Sequence, residues 1–382
     1  VENGADGRLL CVNLAWGPEL KDTLILVGDA IYAFDYNNVD IEYIMHNGKY
    51  DMQVLRRNGI TARCDFDTML AHYALDERAP GKQEEERQYN KGVHGLKVLA
   101  REYFDAEDYE GDVNEKAKVK GGKDFSRVSL EVLARYGTLD AHYTWRLAEE
   151  FKKELQAEGL YEWPFKNVLM RLSAAYIEAE YRGVRVNKAL MRELEFKWGS
   201  ELEVLEEEMW RLAGQEFNPR SPMQVAHILY DVLKLPVQEA RKKVGVYRAK
   251  GERTTDITAI INLRGKHAII APLQKYRRVF KMLSSYIESM RPMLDNDDII
   301  HTSTKLHGTV TGRVSTEDPA LHNIPRADDK EEGHYGKLIK DLFAAREGYV
   351  LLAVDMAQAE MRVMASLSRD PVLMEIFREG RE

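Results

Sequence analysis

Up to about residue 60 the apolar positions follow strand-like runs, and beyond that they settle into the three-to-four spacing of helices. Residues 8–17 (RLLCVNLAWG) and 22–28 (DTLILVG) are β-rich and are separated by Gly17-Pro18, so two strands and a turn are expected. Residues 41–46 predict a further short strand. Helical patterns follow at 50–57, at 68–75 with Asp67 placed as N-cap, at 94–104, and from 129 to about 159. Strands first, with helices around them, predict an α/β domain. Residues 76–91 and 105–123 are charged and contain glycine, and read as surface loops.

Past residue 160, where a boundary is expected, the pattern is helical over 165–182 and over 187–213, an acidic stretch with Glu201, Glu203, Glu206, Glu207 and Glu208. Ser221-Pro222-Met223-Gln224 places Ser at N-cap, Pro at N1 and Gln at N3, a capping box in front of a helix over 225–233. A helix through 286–290 follows. Strands return at 299–306 and 349–355, the second a continuous apolar run ending in Asp355. No internal repeat or low-complexity segment interrupts this order.

A chain of 382 residues with 44% hydrophobic content can bury two or three cores of ordinary size. Cys11 and Cys64 are the only cysteines and neither has a partner at metal-ligand spacing, which argues against a disulfide scaffold or a zinc module. No apolar stretch is long enough to cross a membrane, and the first residues lack the pattern of a signal peptide. The chain starts without Met and stops within a helical pattern, so both ends are expected to be cuts. The net charge of −8 hides an uneven distribution: residues 241–281 hold twelve Lys/Arg against Glu252 and Asp256. Such clustering suits a surface that tracks phosphates, and also suits a solvated helical face.

Metal-assisted phosphodiester hydrolysis needs several carboxylates converging on two divalent ions. Asn47 and Asp51 are four apart, as are Tyr136 and Asp140, a spacing that puts each pair on one helical face. Either pair alone is more often a solvated surface pair. Together with Asp67-Thr68-Met69-Leu70-Ala71-His72-Tyr73 between them, they resemble the second and third motifs of the tyrosine-containing DEDD exonucleases. That resemblance implies that Asp51 and Asp140 hold metal, that Tyr136 orients the attacking water and that Asn47 contacts the DNA. It also makes Glu2 a metal ligand, the last residue of an Asp-x-Glu motif whose Asp would precede Val1; a frayed terminus is the plain alternative. With one ligand missing, the fragment is expected to bind metal poorly and to hydrolyse slowly. Asp67 is assigned to structure, as a cap.

The run from Thr311-Gly312-Arg313 to Asn323-Ile324-Pro325 reads as a loop presenting a cation and hydroxyls to a phosphate backbone. It resembles a motif of the family A DNA polymerases, which implies that Arg313 contacts the primer terminus and Asn323 lies beside the duplex. Ala320 and His322 depart from the usual Asn and Gln. Asp355-Met356-Ala357-Gln358-Ala359-Glu360-Met361-Arg362 resembles polymerase motif A of the same family, with Met356, Ala357 and Ala359 in place of Tyr, Ser and Ile. By that likeness Asp355 is a catalytic Mg²⁺ ligand, Glu360 excludes a ribose 2′-hydroxyl, and Gln358 and Arg362 belong to the DNA-facing set; capping of the next helix is the structural alternative for Asp355. Residues 276–286 resemble the end of the family's thumb, with Arg277 and Lys281, one turn apart, as phosphate contacts.

The resemblance covers nearly the whole chain. It implies an RNase H-like 3′–5′ exonuclease domain over 1–160, a mainly helical thumb over 161–298, and the first part of an α+β palm over 299–382. The implied activity is DNA polymerisation with proofreading by two-metal chemistry on Mg²⁺ or Mn²⁺. Primer-template DNA, a single-stranded 3′ end and deoxynucleoside triphosphates are the implied partners, without a membrane, and the processivity partner is left open. A bacterial or phage-infected cytoplasm is expected by analogy. The second palm carboxylate and the basic fingers helix do not follow Asp355, so the fragment itself is not expected to polymerise. A stand-alone exonuclease and a non-catalytic DNA-binding remnant are the alternatives.

Overall fold

The computed structural model describes residues 7–77, 92–119, 122–239, 253–325 and 335–380. The expected first two strands form an antiparallel pair, β1 (Val12–Ala15) and β2 (Thr23–Leu26), with Val12 opposite Leu26 and Ala15 opposite Thr23. A short helix, α1 (Asp29–Ala33), follows. Next, β3 (Ile44–Met45), α2 (Gly48–Arg57) and β4 (Phe66–Asp67) make a parallel crossover, Ile44 lying opposite Phe66 and Met45 opposite Asp67.

Helix α3 (Thr68–Leu75) leaves β4 directly, and Asp67 caps it through Met69 N (2.9 Å) and Leu70 N. The same carboxylate accepts from the backbone of Asn47 at 3.1 Å and Gly48 at 2.8 Å, the start of α2. One buried side chain thus satisfies the orphan donors of two helix ends, which holds them at a fixed separation.

Helices α4 (Leu96–Phe104), α5 (Gly111–Ala117) and α6 (Leu130–Ala157) complete this half. Residues 105–123 are therefore not simply the expected surface loop. Val113 and Ala117, one turn apart on α5, are buried with Cys11, Val128 and Leu133. Against α6, the larger core gathers Phe66, Leu70, Tyr73, Leu99, Leu147, Phe151 and Leu155.

The expected helix over 165–182 begins irregularly: Pro164 and an extended Trp163 (φ −142°) kink the segment Tyr161–Met170, and regular α7 (Arg171–Arg182) follows. Gly183 (φ +59°) then turns the chain into β5 (Val184–Val186), and a Cβ there would meet Ile300 O at 2.6 Å. The long α8 (Lys188–Ala213) packs Trp198, Leu202 and Met209 against Leu273, Tyr276 and Val279 of α11 (Ile270–Met282), with α9 (Pro222–Ala226) and α10 (Ile257–Asn262) between them in sequence. Fully burying each such side chain contributes about 1.5–3 kcal/mol. At α9, the Ser221 hydroxyl accepts from Gln224 N as expected, but the Gln224 side-chain Oε1 takes the N–H of Asn218 (2.7 Å).

Residues 299–306 divide into β6 (Ile299–Ile300), which pairs with β5, and β7 (Ser303–Lys305), which pairs with β8 (Ser315–Glu317). β5 is the middle strand of a small sheet whose other edge is β9 (Phe343–Ala344), entered from α12 (Tyr335–Lys340). Ile300, Tyr335, Ile339 and Leu342 join the α8–α11 core, whereas Leu306 joins the core of α6. The segment from 299 onward thus has no core cluster of its own among the described residues.

The expected buried strand over 349–355 is not formed. Val350 and Leu352 are 88% and 85% exposed, because no strand lies beside this run among the described residues to take its hydrogen bonds or cover its side chains. Helices α13 (Ala359–Ser368) and α14 (Pro371–Arg378) follow, and of Met361, Ala365 and Leu367 on α13 only Ala365 is buried. Among the described residues no helix is long and apolar enough to cross a membrane.

Candidate active site

Tyr136 and Asp140 sit one turn apart on α6. Gly137 between them lets the helix lie against β1, where an added Cβ would run into the amide of Asn13. The carboxylate of Asp140 accepts the Tyr109 hydroxyl at 2.9 Å and pairs with the ammonium of Lys97 from α4. That ammonium also lies 4.4 Å from the centre of the Tyr109 ring and 4.5 Å from that of Tyr136. Burial pushes the Tyr136 phenol up to about 12, and the negative charges of Glu110 and Asp51 add to it. Tyr136 is therefore neutral at physiological pH and can donate a hydrogen bond. Burial likewise raises Tyr109 far above the ordinary range.

Asp51 stands in the first turn of α2, where a carboxylate is favoured by the helix dipole, and its charge reaches Tyr136. Asn47 is not on the helix with it: it is the N-cap residue, left-handed at φ 57°, with its N–H given to Asp67. Glu2 lies outside the described residues. Among the described residues no three His, Cys, Asp or Glu side chains are assembled into a metal site. The donor types nevertheless suit a hard divalent cation, since Asp51 and Asp140 offer carboxylate oxygens, those of Asp140 being held here by the Lys97 ammonium.

Beside this site, His72 and His94 meet at 2.7 Å between Nδ1 atoms, and the His94 ring is 5.9 Å from that of His307. Burial pushes His46 down to about 3, with Lys97, His307 and His72 adding to it. Burial also lowers His307 to about 4, with His94, Lys305 and Lys49 as the next causes. Both stay neutral in the folded protein at pH values where the unfolded chain, with histidines near 6.5, takes up protons. Stability should therefore fall as pH drops from about 6.5 towards 4, by up to about 1.4 kcal/mol per pH unit for each histidine. Denaturation midpoints at several pH values check this, and His307→Gln should flatten the slope; an unchanged slope would contradict it.

In the second motif region, Gly312 is left-handed at φ +74°, and the Thr309 hydroxyl donates to Arg313 O at 2.6 Å. Thr311 donates to Thr309 at 3.4 Å. The Arg313 guanidinium pairs with Glu360, both largely exposed. Gln358 is the left-handed N-cap residue of α13 (φ 51°), and Arg362 donates to Ala357 O at 2.9 Å. Asp355 is exposed on the uncovered run, so it is not held by a packed strand as expected.

Arg277 and Lys281 separate in the structure. Arg277 is turned inward, its guanidinium giving hydrogen bonds to the carbonyl and, at 3.1 Å, the hydroxyl of Thr255, so it is committed to structure rather than to phosphate. Lys281 is exposed and lines a cavity of about 370 Å³ together with Ser285, Tyr286 and Asn323, whose carbonyl accepts from Tyr286 at 2.6 Å. Of the basic run, residues 241–252 lie outside the described residues. Arg277→Ala, which takes its hydrogen bonds from Thr255, should lower stability by about 1–3 kcal/mol, whereas Lys281→Ala at an exposed position should change it little. Urea denaturation midpoints check both; equal midpoints for the two variants would sink the assignment.

Sequence reasoning missed Lys97 and Tyr109. The first is the second residue of a helix that was expected, and the second lies in a segment read as loop; only their distant partner marks them.

A model of the family described as 3′-5′ exonuclease matches residues 32–156, and one described as DNA polymerase family A matches residues 188–382. DNA polymerase I of Treponema pallidum (strain Nichols) is 31% identical over 347 residues, 90% of this chain and 32% of that protein. DNA polymerase I of a Synechocystis strain is 28% identical over 367 residues, 95% of this chain and 34% of its own length. The chain thus spans about a third of these relatives. A solved structure described as the POL domain of Pol1 from M. smegmatis, in complex with DNA primer-template and dNTP, shares the fold. Its TM-score is 0.70 at 24% identity, over 92% of this chain and 54% of that one. With the polymerase model spanning half the sequence and the exonuclease model falling on the half that holds Asp51, Tyr136 and Asp140, the chain belongs to DNA polymerase family A.

Proposed function

We propose that the chain is part of a DNA-directed DNA polymerase with a 3′–5′ proofreading exonuclease. In this reading 1–160 form the exonuclease domain, 161–298 the thumb and 299–382 the start of the palm. The observation that carries it is the placing of Tyr136 and Asp140 one turn apart on α6, with the charge of Asp51 acting on Tyr136, inside the segment matched by the exonuclease model. Asp51 and Asp140, with Glu2, would hold Mg²⁺ or Mn²⁺, which supplies an activated water and neutralises charge at the scissile phosphate. The neutral Tyr136 phenol orients that water by hydrogen bonding, and Tyr109 fixes the Asp140 carboxylate. On the polymerase side, Thr311, Gly312, Arg313, Asn323 and Lys281 take the primer-template. Gln358 and Arg362 face the DNA with them, and Asp355 and Glu360 belong to the nucleotide site of the intact enzyme, which works on deoxynucleoside triphosphates in a bacterial or phage-infected cytoplasm.

The test is slow, Mn²⁺-dependent shortening of a 5′-labelled single-stranded DNA from its 3′ end, stopped by EDTA. The Lys97 ion pair on Asp140 favours the alternative of a DNA-binding remnant. A chain that binds the strand and leaves it intact in millimolar Mn²⁺ would support that alternative and overturn the first reading.

A further inference from the structure

Lys97 combines deep burial with a charge. Its side chain is 12% exposed, against 26% for Asp140. An ammonium this far from water is costly unless its charge is matched, and here a carboxylate and the faces of two tyrosine rings match it. The matched carboxylate is the one the exonuclease reading gives to metal. A divalent cation and an ammonium cannot share those oxygens without strong repulsion, since like charges a few ångströms apart in a poorly solvated site repel far more than in water. Tyr109 holds Asp140 through a 2.9 Å hydrogen bond, so the carboxylate is fixed and the ammonium, on a flexible stem, is the partner that can move.

Building on the exonuclease reading, we propose that Lys97 is a positioning residue. It is a resident counter-ion that holds Asp140 while the site is free of metal and gives up the carboxylate when a divalent cation binds. Metal affinity is then set against an internal ion pair, and the empty site keeps its shape without two unbalanced carboxylates.

Mn²⁺ affinity, measured from the electron paramagnetic resonance signal of free Mn²⁺, tests this on the wild type, Lys97→Met and Asp140→Asn. Lys97→Met should bind Mn²⁺ more tightly by about fivefold or more, the lower edge of ordinary coupling between two occupants of one site. Asp140→Asn should abolish that Mn²⁺ binding. Unchanged or weaker binding by Lys97→Met, with Asp140→Asn still abolishing it, overturns the counter-ion role and leaves the exonuclease reading standing. Binding indifferent to Asp140→Asn removes the exonuclease reading itself. If circular dichroism shows that Lys97→Met does not fold, amine acetylation of the wild type decides. Labelling of Lys97, relative to exposed Lys153, should rise on adding Mn²⁺, and constant labelling overturns the proposal.

Discussion

Asp140→Ala is expected to slow Mn²⁺-dependent removal of 3′ nucleotides by about 10²–10³-fold. A divalent ion in such a site contributes several kcal/mol of charge stabilisation, and each 1.36 kcal/mol is about tenfold in rate. The substitution removes more than a ligand. It takes the Asp140 carboxylate from the Lys97 ammonium, whose side chain is 12% exposed between two rings, and takes an acceptor from the Tyr109 hydroxyl. A loss of stability of about 1–3 kcal/mol should accompany the kinetic loss. Measuring both separates the causes: Asp140→Asn keeps the shape and an acceptor for Tyr109 but not the charge for Lys97, so it should recover part of the stability and little of the rate. Wild-type rates in both variants would remove Asp140 from the catalytic set.

The contrast between what the sequence announced and what it concealed has a physical basis. Tyr136 and Asp140 were legible because their relation is local, one turn of a single helix. Asp67 was legible as a cap for the same reason, while its second task, holding Asn47 and Gly48, depends on a partner some twenty positions away that only the β3–α2–β4 crossover brings back. Arg277 and Lys281 looked equivalent as a pair one turn apart; the hydroxyl and carbonyl of Thr255, from a different segment, make one structural. The apolar run over 349–354 promised a buried strand, but periodicity states only that a face is apolar. Whether it is covered depends on a neighbouring strand, and none lies beside it among the described residues.

Glu180→Ala is expected to cost about 3–5 kcal/mol, the range for breaking a buried ion pair by removing one partner. Glu180 is 5% exposed, and nothing in its local sequence marks it. Its carboxylate takes the Lys49 ammonium at 2.8 and 2.7 Å, the Gln53 amide, and the backbone N–H of Thr304 at 2.5 Å. Removing it leaves a lysine whose side chain is 14% exposed without this anion, and takes an acceptor from the Gln53 amide and from a buried N–H on β7. Three elements meet at this one side chain: α2, which carries Asp51; α7; and the β7–β8 hairpin, which encloses Thr311, Gly312 and Arg313. Because the chain has several cores, unfolding need not be a single transition, so hydrogen exchange is a sharper probe than a melting temperature. Amides of α2 and of Thr304 should lose protection together, and the nuclease rate should drop with them as Asp51 loses its fixed position. Glu180→Gln, which keeps the acceptor for Thr304 but not the charge for Lys49, should give an intermediate loss. If only α7 responds, the hairpin and α2 are tied elsewhere, through the Tyr73 hydroxyl on Thr309 O (2.7 Å) and the contact of His94 with His307.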